Sequence, residues 1–351
     1  MMKPTFQAPE DDFQVTAFTI TLQQTKVYRN GLQQARIKLR LEAKRGGVAA
    51  HLTEAEEKGI CLFDYEAEEA LLPYTDDYSA VDYRGWAAQH EGRGYDYHPA
   101  SRRDDSPSIR KWIRSLLRRI RSIFWSSDLP PQDFYFYVTA NEKALQNLVV
   151  AFAITGDDES VYRSNGWYDK GGKRDYNPGL DEDTGVTLAP DSPIVYSSDN
   201  FVLSRRPTPS AADSDGHLAD DIFNDIVVIS LRDAGGLSLA LRHMTCTPAG
   251  VIHWINKLEG TMNPCFTGYA SPGDTDFKWN DKVQTGGIPK PTLATNDRGK
   301  CILALCGRID IRPYPGAPDG SIALRLIDAY GTTQTCGLRF VDHSRDDLEV
   351  V

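Results

Sequence analysis

Ala35-Arg36-Ile37-Lys38-Leu39-Arg40-Leu41-Glu42 alternates small or apolar residues with charged ones without a break. A period of two places Ala35, Ile37, Leu39 and Leu41 on one face of an extended chain and Arg36, Lys38, Arg40 and Glu42 on the other. Such a stretch is a half-buried strand of an antiparallel sheet, with a basic outer face in water. The same alternation runs just upstream, where Phe18, Ile20 and Leu22 share a face opposite Thr19 and Thr21. The turn signal Tyr28-Arg29-Asn30-Gly31 lies between the two.

Further strand signals recur along the chain. Phe134-Tyr135-Phe136-Tyr137-Val138 and 148–154 are rich in β-formers, and the second is expected to be buried on both faces. Segments 226–231 and 237–241 bracket Asp233-Ala234-Gly235-Gly236, a hairpin signal. Cys301–Ile311, Ser321–Ile327 and Thr335–Val341 follow, separated by Gly and Pro turns. The expected class is mainly β, with antiparallel β-sandwich domains (Ig-like or jelly-roll-like) and a few short helices. The expected domains are 1–100, a linker with a helix at 101–131, and 132–351.

Two short helices are anticipated. Thr53-x-x-Glu56 fits a capping box ahead of Gly59. Thr247 as N-cap, Pro248 at the first position and Val251, Ile252, Ile255 and Leu258 on one stripe predict a second helix, stopped by Gly260. Residues 156–221 read as a long connection with one short strand at Ile194-Val195-Tyr196. The aromatic stretch containing Tyr74, Tyr78, Tyr83, Trp86, Tyr95 and Tyr97 reads as an ordered loop whose rings anchor it. Val27-Tyr28-Arg29-Asn30-Gly31 is echoed by Val161-Tyr162-Arg163-Ser164-Asn165-Gly166, a similarity of turn chemistry.

Forty-nine acidic against 39 basic side chains in 351 residues give a net charge of −10, which argues against whole-surface binding of nucleic acid. No apolar run approaches the roughly 20 residues that span a bilayer. The opening residues lack an apolar leader core, so a cytoplasmic location is expected, with release by lysis or a dedicated secretion system as the alternative.

One segment opposes the global charge. Behind Ser106-Pro107, the residues Ile109, Trp112, Ile113, Leu116, Leu117, Ile120, Ile123 and Phe124 recur at helical spacing. Arg110, Lys111, Arg114, Arg118, Arg119 and Arg121 fill the remaining positions, and Pro130-Pro131 ends the segment. This predicts a cationic amphipathic helix over 107–125, about 27 Å long at 1.5 Å per residue. Residues 101–125 carry +6, which leaves −16 for the rest of the chain.

The apolar stripe suits packing on a sheet, a membrane surface or a partner's groove. Nucleic acid fits poorly, because a wide apolar face is unnecessary for phosphate binding. The candidate membrane- or partner-binding residues are Arg110, Lys111, Trp112, Arg114, Leu116, Arg118, Arg119, Ile120, Arg121 and Phe124.

Catalytic and metal motifs are thin. GxSxG, GxxxxGK[ST], HExxH and GxGxxG are all missing. Asp157-Asp158, Asp181-Glu182-Asp183 and Asp220-Asp221 would serve a carboxylate hydrolase only if folding set two of them across a cleft. Asp213-x-Asp215-Gly216 opens like a calcium loop but lacks the later ligands. His243-x-x-Cys246, with His253 and Cys265 beyond, has no CxxC companion, so no metal and no cofactor are expected. Cys301 and Cys306 lie five apart in a strand, on opposite faces, and six cysteines are too sparse for a disulfide scaffold.

The expected function is that of a non-enzymatic binding or structural protein in an assembly, with a protein partner or a second copy. A toxin-like protein acting on anionic membranes through 106–125, or a carboxylate hydrolase, are the alternatives.

Overall fold

The computed structural model describes residues 13–67, 70–75, 83–99, 129–177, 180, 185–208, 222–254, 256–257, 261–262, 264–283, 289–309 and 319–351. The fold is mainly β with antiparallel sheets. The chain divides into two compact units, Met1–Pro193 and Ile194–Val351. The expected boundary near residue 131 does not coincide with this division. Strand Gln132–Ala140 is hydrogen bonded to Gln34–Arg45 over eight residue pairs, so both belong to one sheet.

The first unit runs β1 (Phe13–Leu22), β2 (Lys26–Tyr28), β3 (Gln34–Arg45), β4 (Val48–Ala50), α1 (Glu54–Lys58), β5 (Cys61–Asp64), β6 (Trp86–Gln89) and β7 (Gln132–Ala140). It continues with β8 (Leu148–Thr155), β9 (Val161–Arg163), β10 (Trp167–Lys170), β11 (Lys173–Tyr176) and β12 (Val186–Asp191). One sheet has the order β1-β3-β7-β6, with β4 on β3; the other has the order β11-β10-β9-β8-β12-β2, with β5 on β8. Among the named strands only β2 and β12 pair in parallel.

Alternation decides what each strand buries. Ile37, Leu39 and Leu41 meet Phe18, Ile20, Phe136 and Val138 in one core with Leu62, Val150, Phe152 and Leu188 of the other sheet. Each such side chain contributes roughly 1.5–3 kcal/mol on leaving water.

Helix α1 begins at the predicted capping box: Thr53 Oγ1 accepts from Glu56 N–H, and Glu56 Oε2 accepts from Thr53 N–H at 2.8 Å. Gly59 closes it. Trp86 is buried in the core, with Tyr74 and Tyr83 packed against it, and it opens strand β6 where a loop is expected; Tyr78 lies outside the described residues.

The second unit runs β13 (Phe201–Pro207), β14 (Phe223–Arg232), β15 (Ser238–Leu239), β16 (Leu241–Thr247), β17 (Ile252–His253), β18 (Asn256–Lys257), β19 (Thr261–Met262) and β20 (Cys265–Ala270). It ends with β21 (Cys301–Gly307), β22 (Ser321–Asp328), β23 (Thr333–Phe340) and β24 (Leu348–Val350). Its larger sheets have the orders β13-β14-β21-β20-β17 and β16-β22-β23-β24. Residues of both share a core: Val227, Ile229, Leu303 and Leu305 from one, Met244, Leu324, Leu326 and Leu338 from the other. The opposite face of β14, β20 and β21 is covered too, by Phe277, Val283 and Leu293 of an irregular segment. Cys301 falls in the first of these cores and Cys306 in the second, as strand parity requires.

Three expectations are corrected. The helix from Thr247 does not form among the described residues. Thr247 ends β16, a cis peptide bond precedes Pro248, and Ile252–His253 pair with Phe266 and Cys265. Val251 and Ile252 face different cores because this sheet is covered on both sides, and an apolar run buried twice has no period that separates strand from helix. Gly250 fits here because a Cβ would run into the Thr267 carbonyl.

Residues 156–221 are no bare connection, since they carry β9 to β13. Ile194–Tyr196 form no strand; the Gln334 side chain holds them, accepting from Tyr196 N–H at 2.9 Å and donating to Ile194 O at 2.8 Å. The cationic helix expected over 107–125 lies outside the described residues.

Candidate interaction surface

Register places the charged half of the opening sequence beside the aromatics of β7. Arg36 lies opposite Tyr137, Lys38 opposite Tyr135 and Arg40 opposite Asp133. On the other flank Thr21 and Thr19 stand opposite Lys38 and Arg40. These side chains form the outer face of the β1-β3-β7 sheet, because their neighbours in sequence fill the core.

Tyr135 is 41% exposed. The Arg36 guanidinium carbon lies 4.3 Å from its ring centroid and Lys38 Nζ lies 5.8 Å away. With cations over the ring, the surface presents charged heads and a phenolic edge rather than a bare aromatic plane. Arg40 bonds both oxygens of Asp133, at 2.8 and 3.1 Å, and Lys38 reaches Oδ2 at 2.6 Å. Hydrogen bonding from Arg40, then from Lys38, lowers the Asp133 carboxyl to about 2. The Arg36 guanidinium is held above its ordinary pKa, chiefly by a hydrogen bond with Tyr97.

An irregular segment borders this face. Gln34 Nε2 donates to Gln89 Oε1 and to Glu91 O (3.1 Å), while Gln34 Oε1 accepts from Arg93 N–H at 2.7 Å. Gln33 Nε2 donates to Asp96 O at 3.1 Å. Gly92 lies against the Tyr137 ring. Residues 91–97 are thereby fastened by neutral amides to the upper end of the basic face.

The hairpin β10–β11 carries a second aromatic and basic group. Gly171 and Gly172 both have positive φ, as a two-residue primed turn needs. Trp167 and Tyr176 rings lie 5.2 Å apart, and Arg174 sits 5.2 Å over Trp167. Strand β11 ends its sheet, yet its edge is blunted: Asp175 Oδ1 accepts the Tyr176 N–H at 2.8 Å, and Lys173 and Arg174 add charge.

The remaining clusters read as structural. Ser271 Oγ lies 3.1 Å from His243 Nδ1 beside a strand bulge, a nucleophile–base spacing. However, Ser271 is 2% exposed and its Oγ already accepts from Met244 N–H, so the hydroxyl pins the bulge. Asp157 and Glu56 are held together by Arg45 and Thr53, with no cleft between them. Asp181-Glu182-Asp183, Asp220-Asp221 and Asp213-x-Asp215 fall outside the described residues.

His243 and Cys246 sit at unlike depths on β16, one exposed and the other buried. Among the described residues no group of three His, Cys, Asp or Glu is placed to hold a metal ion. Nor is any helix among them long and apolar enough to cross a membrane. Arg110, Lys111, Trp112, Arg114, Leu116, Arg118, Arg119, Ile120, Arg121 and Phe124 lie outside the described residues.

The chain matches no protein-family model and no curated protein. The surface therefore rests on its own chemistry. Its basic half was visible in the alternation at 35–42. The pairing with Tyr135 and Tyr137 was not assigned, although the alternation of Phe134, Phe136 and Val138 with the two tyrosines signals which face each ring takes. The glutamine ties left no sequence signal, because Gln33, Gln34 and Gln89 are ordinary surface residues by composition.

Proposed function

We propose that this chain is a non-enzymatic binding component of an assembly, built from two antiparallel β-sandwiches, Ig-like or jelly-roll-like. In this reading it meets an acidic protein partner through Arg36, Lys38, Arg40 and Tyr135. The observation that carries the reading is the solvent-exposed Tyr135 set between Arg36 and Lys38. Arg and Tyr dominate the energetics of protein interfaces, and cations on an otherwise acidic chain select an acidic partner.

The test is fluorescence anisotropy with a labelled glutamate-rich peptide of about 15 residues. Arg36→Ala/Lys38→Ala/Tyr135→Ala should bind at least about tenfold more weakly than the native chain, and added salt should weaken native binding. Absent binding by the native chain, or equal binding by the variant, refutes the reading.

A second reading concerns residues 106–125 and rests on the +6 of 101–125 within a chain of −10. Six basic side chains near an anionic leaflet contribute up to about 6 kcal/mol, against a body whose repulsion is screened beyond about 8 Å. The segment then acts as a toxin-like membrane-binding element. Sedimentation with anionic liposomes tests it: the native chain should pellet and Arg114→Glu/Arg118→Glu should not. Binding by neither or by both ends this reading.

A further inference from the structure

We infer that His98 is a pH-sensitive latch that fastens residues 95–99 to the paired strands β2 and β12. The imidazole is 4% exposed, the most deeply buried side chain of the stretch 90–99. Its ring lies 4.4 Å from the Tyr28 ring, and Nε2 is 3.2 Å from Asp191 Oδ2. Tyr28 belongs to β2 and Asp191 to β12, and these two residues face each other in the parallel register. One ring thus closes over the seam between two strands that come from distant parts of the sequence.

The charged groups that bear on the ring are Asp191, which favours its protonation, and Lys26, which opposes it while bonding Asp191 at 3.1 Å. Arg29 beside them is engaged with Ser192 Oγ at 2.9 Å. Burial outweighs the Asp191 carboxylate and holds the imidazole below its ordinary pKa. The latched ring is accordingly neutral at neutral pH, and a released ring takes up a proton more readily than a latched one. The latch is at full strength above the ordinary histidine range and weakens as pH falls through and below it.

Three further ties on residues 91–97 use amides and a guanidinium: Gln33 to Asp96 O, Gln34 to Arg93 N, and Arg93 Nη1 to Gly31 O at 2.7 Å. None of these titrates near neutrality, so acid acts on the His98 end first. Because Tyr97 holds Arg36 and Gly92 lies on Tyr137, release widens the basic–aromatic face. That consequence rests on the proposed binding function; the latch itself does not.

Hydrogen exchange of the full chain, read on peptides covering 90–99 and corrected for intrinsic rates, tests the latch without any partner. Protection in the native chain should fall by at least about threefold from pH 7.5 to 5.0 relative to the core strands. His98→Phe, which keeps a ring on Tyr28, and His98→Gln should lose that dependence. Asp191→Asn, which removes the carboxylate favouring the latched ring's proton, should deepen that fall, because the latched ring then holds a proton less readily while the released ring is unchanged. Flat protection in the native chain overturns the proposal. So does an equal fall in both His98 variants, or a fall no deeper in Asp191→Asn. Peptide binding at fixed pH is a separate readout, so failure of the latch and failure of the binding face are told apart.

Discussion

Glu56→Gln probes the least exposed carboxylate among the described residues of the first unit. Glu56 is 0% exposed, and its two oxygens take the Arg45 guanidinium at 2.8 and 2.9 Å. Oε2 also accepts the Thr53 N–H at 2.8 Å. Removing one partner of a buried ion pair costs about 3–5 kcal/mol, because the other charge is left uncompensated. Here Arg45 is 22% exposed and keeps Asp157 at 3.8 Å, which moves the expectation to about 2–3 kcal/mol.

Glutamine preserves the shape and an oxygen for the Thr53 amide, so the cap survives. Glu56→Ala removes both and should cost about 3–4 kcal/mol; Thr53→Ala removes only the cap side chain, about 1 kcal/mol. For a unit of this size each kcal/mol moves the midpoint by about 2–4 °C, so Glu56→Gln should lower it by about 4–12 °C. Differential scanning calorimetry of the full chain reads this on the transition assigned to the first unit. If Glu56→Gln costs no more than Thr53→Ala, the stabilisation lies in the cap and the ion-pair reasoning is wrong.

Gly250→Ala should destabilise the second unit by about 2 kcal/mol or more, since the added Cβ meets a main-chain carbonyl that cannot swing away; a melt matching the native one contradicts this. Asp133 should stay ionised down to about pH 2 in a carboxyl NMR titration, because Arg40 and Lys38 hold its charged form. Its depressed pKa means the pairing is present above the ordinary carboxylate range and lost only as pH falls through about 2, and Arg40→Ala should move the titration upward. Thiol labelling should reach the partly exposed Cys61 and Cys336 first. Cys265, Cys301 and Cys306, buried and pushed up to about 12, should react only on unfolding.

The antiparallel strands were legible wherever one face meets water, as at Phe18–Leu22 and Ala35–Glu42, because there the pattern carries a period. Of the runs covered on both faces, 148–154, 226–231 and 301–307 still read as strands from their length and β-formers, and 251–252 did not. Val251-Ile252 read as a helix because each side chain serves a different core, and nothing local says so. Legibility failed again for β9 to β13, short strands set among turns of Gly, Asp, Ser and Pro, whose pairing comes from neighbours rather than propensity. The capping box at Thr53 succeeded because its bonds span only three residues.

Sequence alone determined the β class, the basic strand face, the capped helix and the charge contrast between 101–125 and the remainder. Each of these is local: a period of two, a spacing of three, or a sum of charges. Tertiary structure decided which strands are neighbours, and with them every contact of the candidate surface. Tyr135 follows Lys38 by nearly a hundred residues and His98 precedes Asp191 by almost as many, yet register brings each pair together. Hydrogen-bonded pairing between distant strands leaves no trace in either strand's own composition, and for that reason the surface and the latch became visible only once the sheets were assembled.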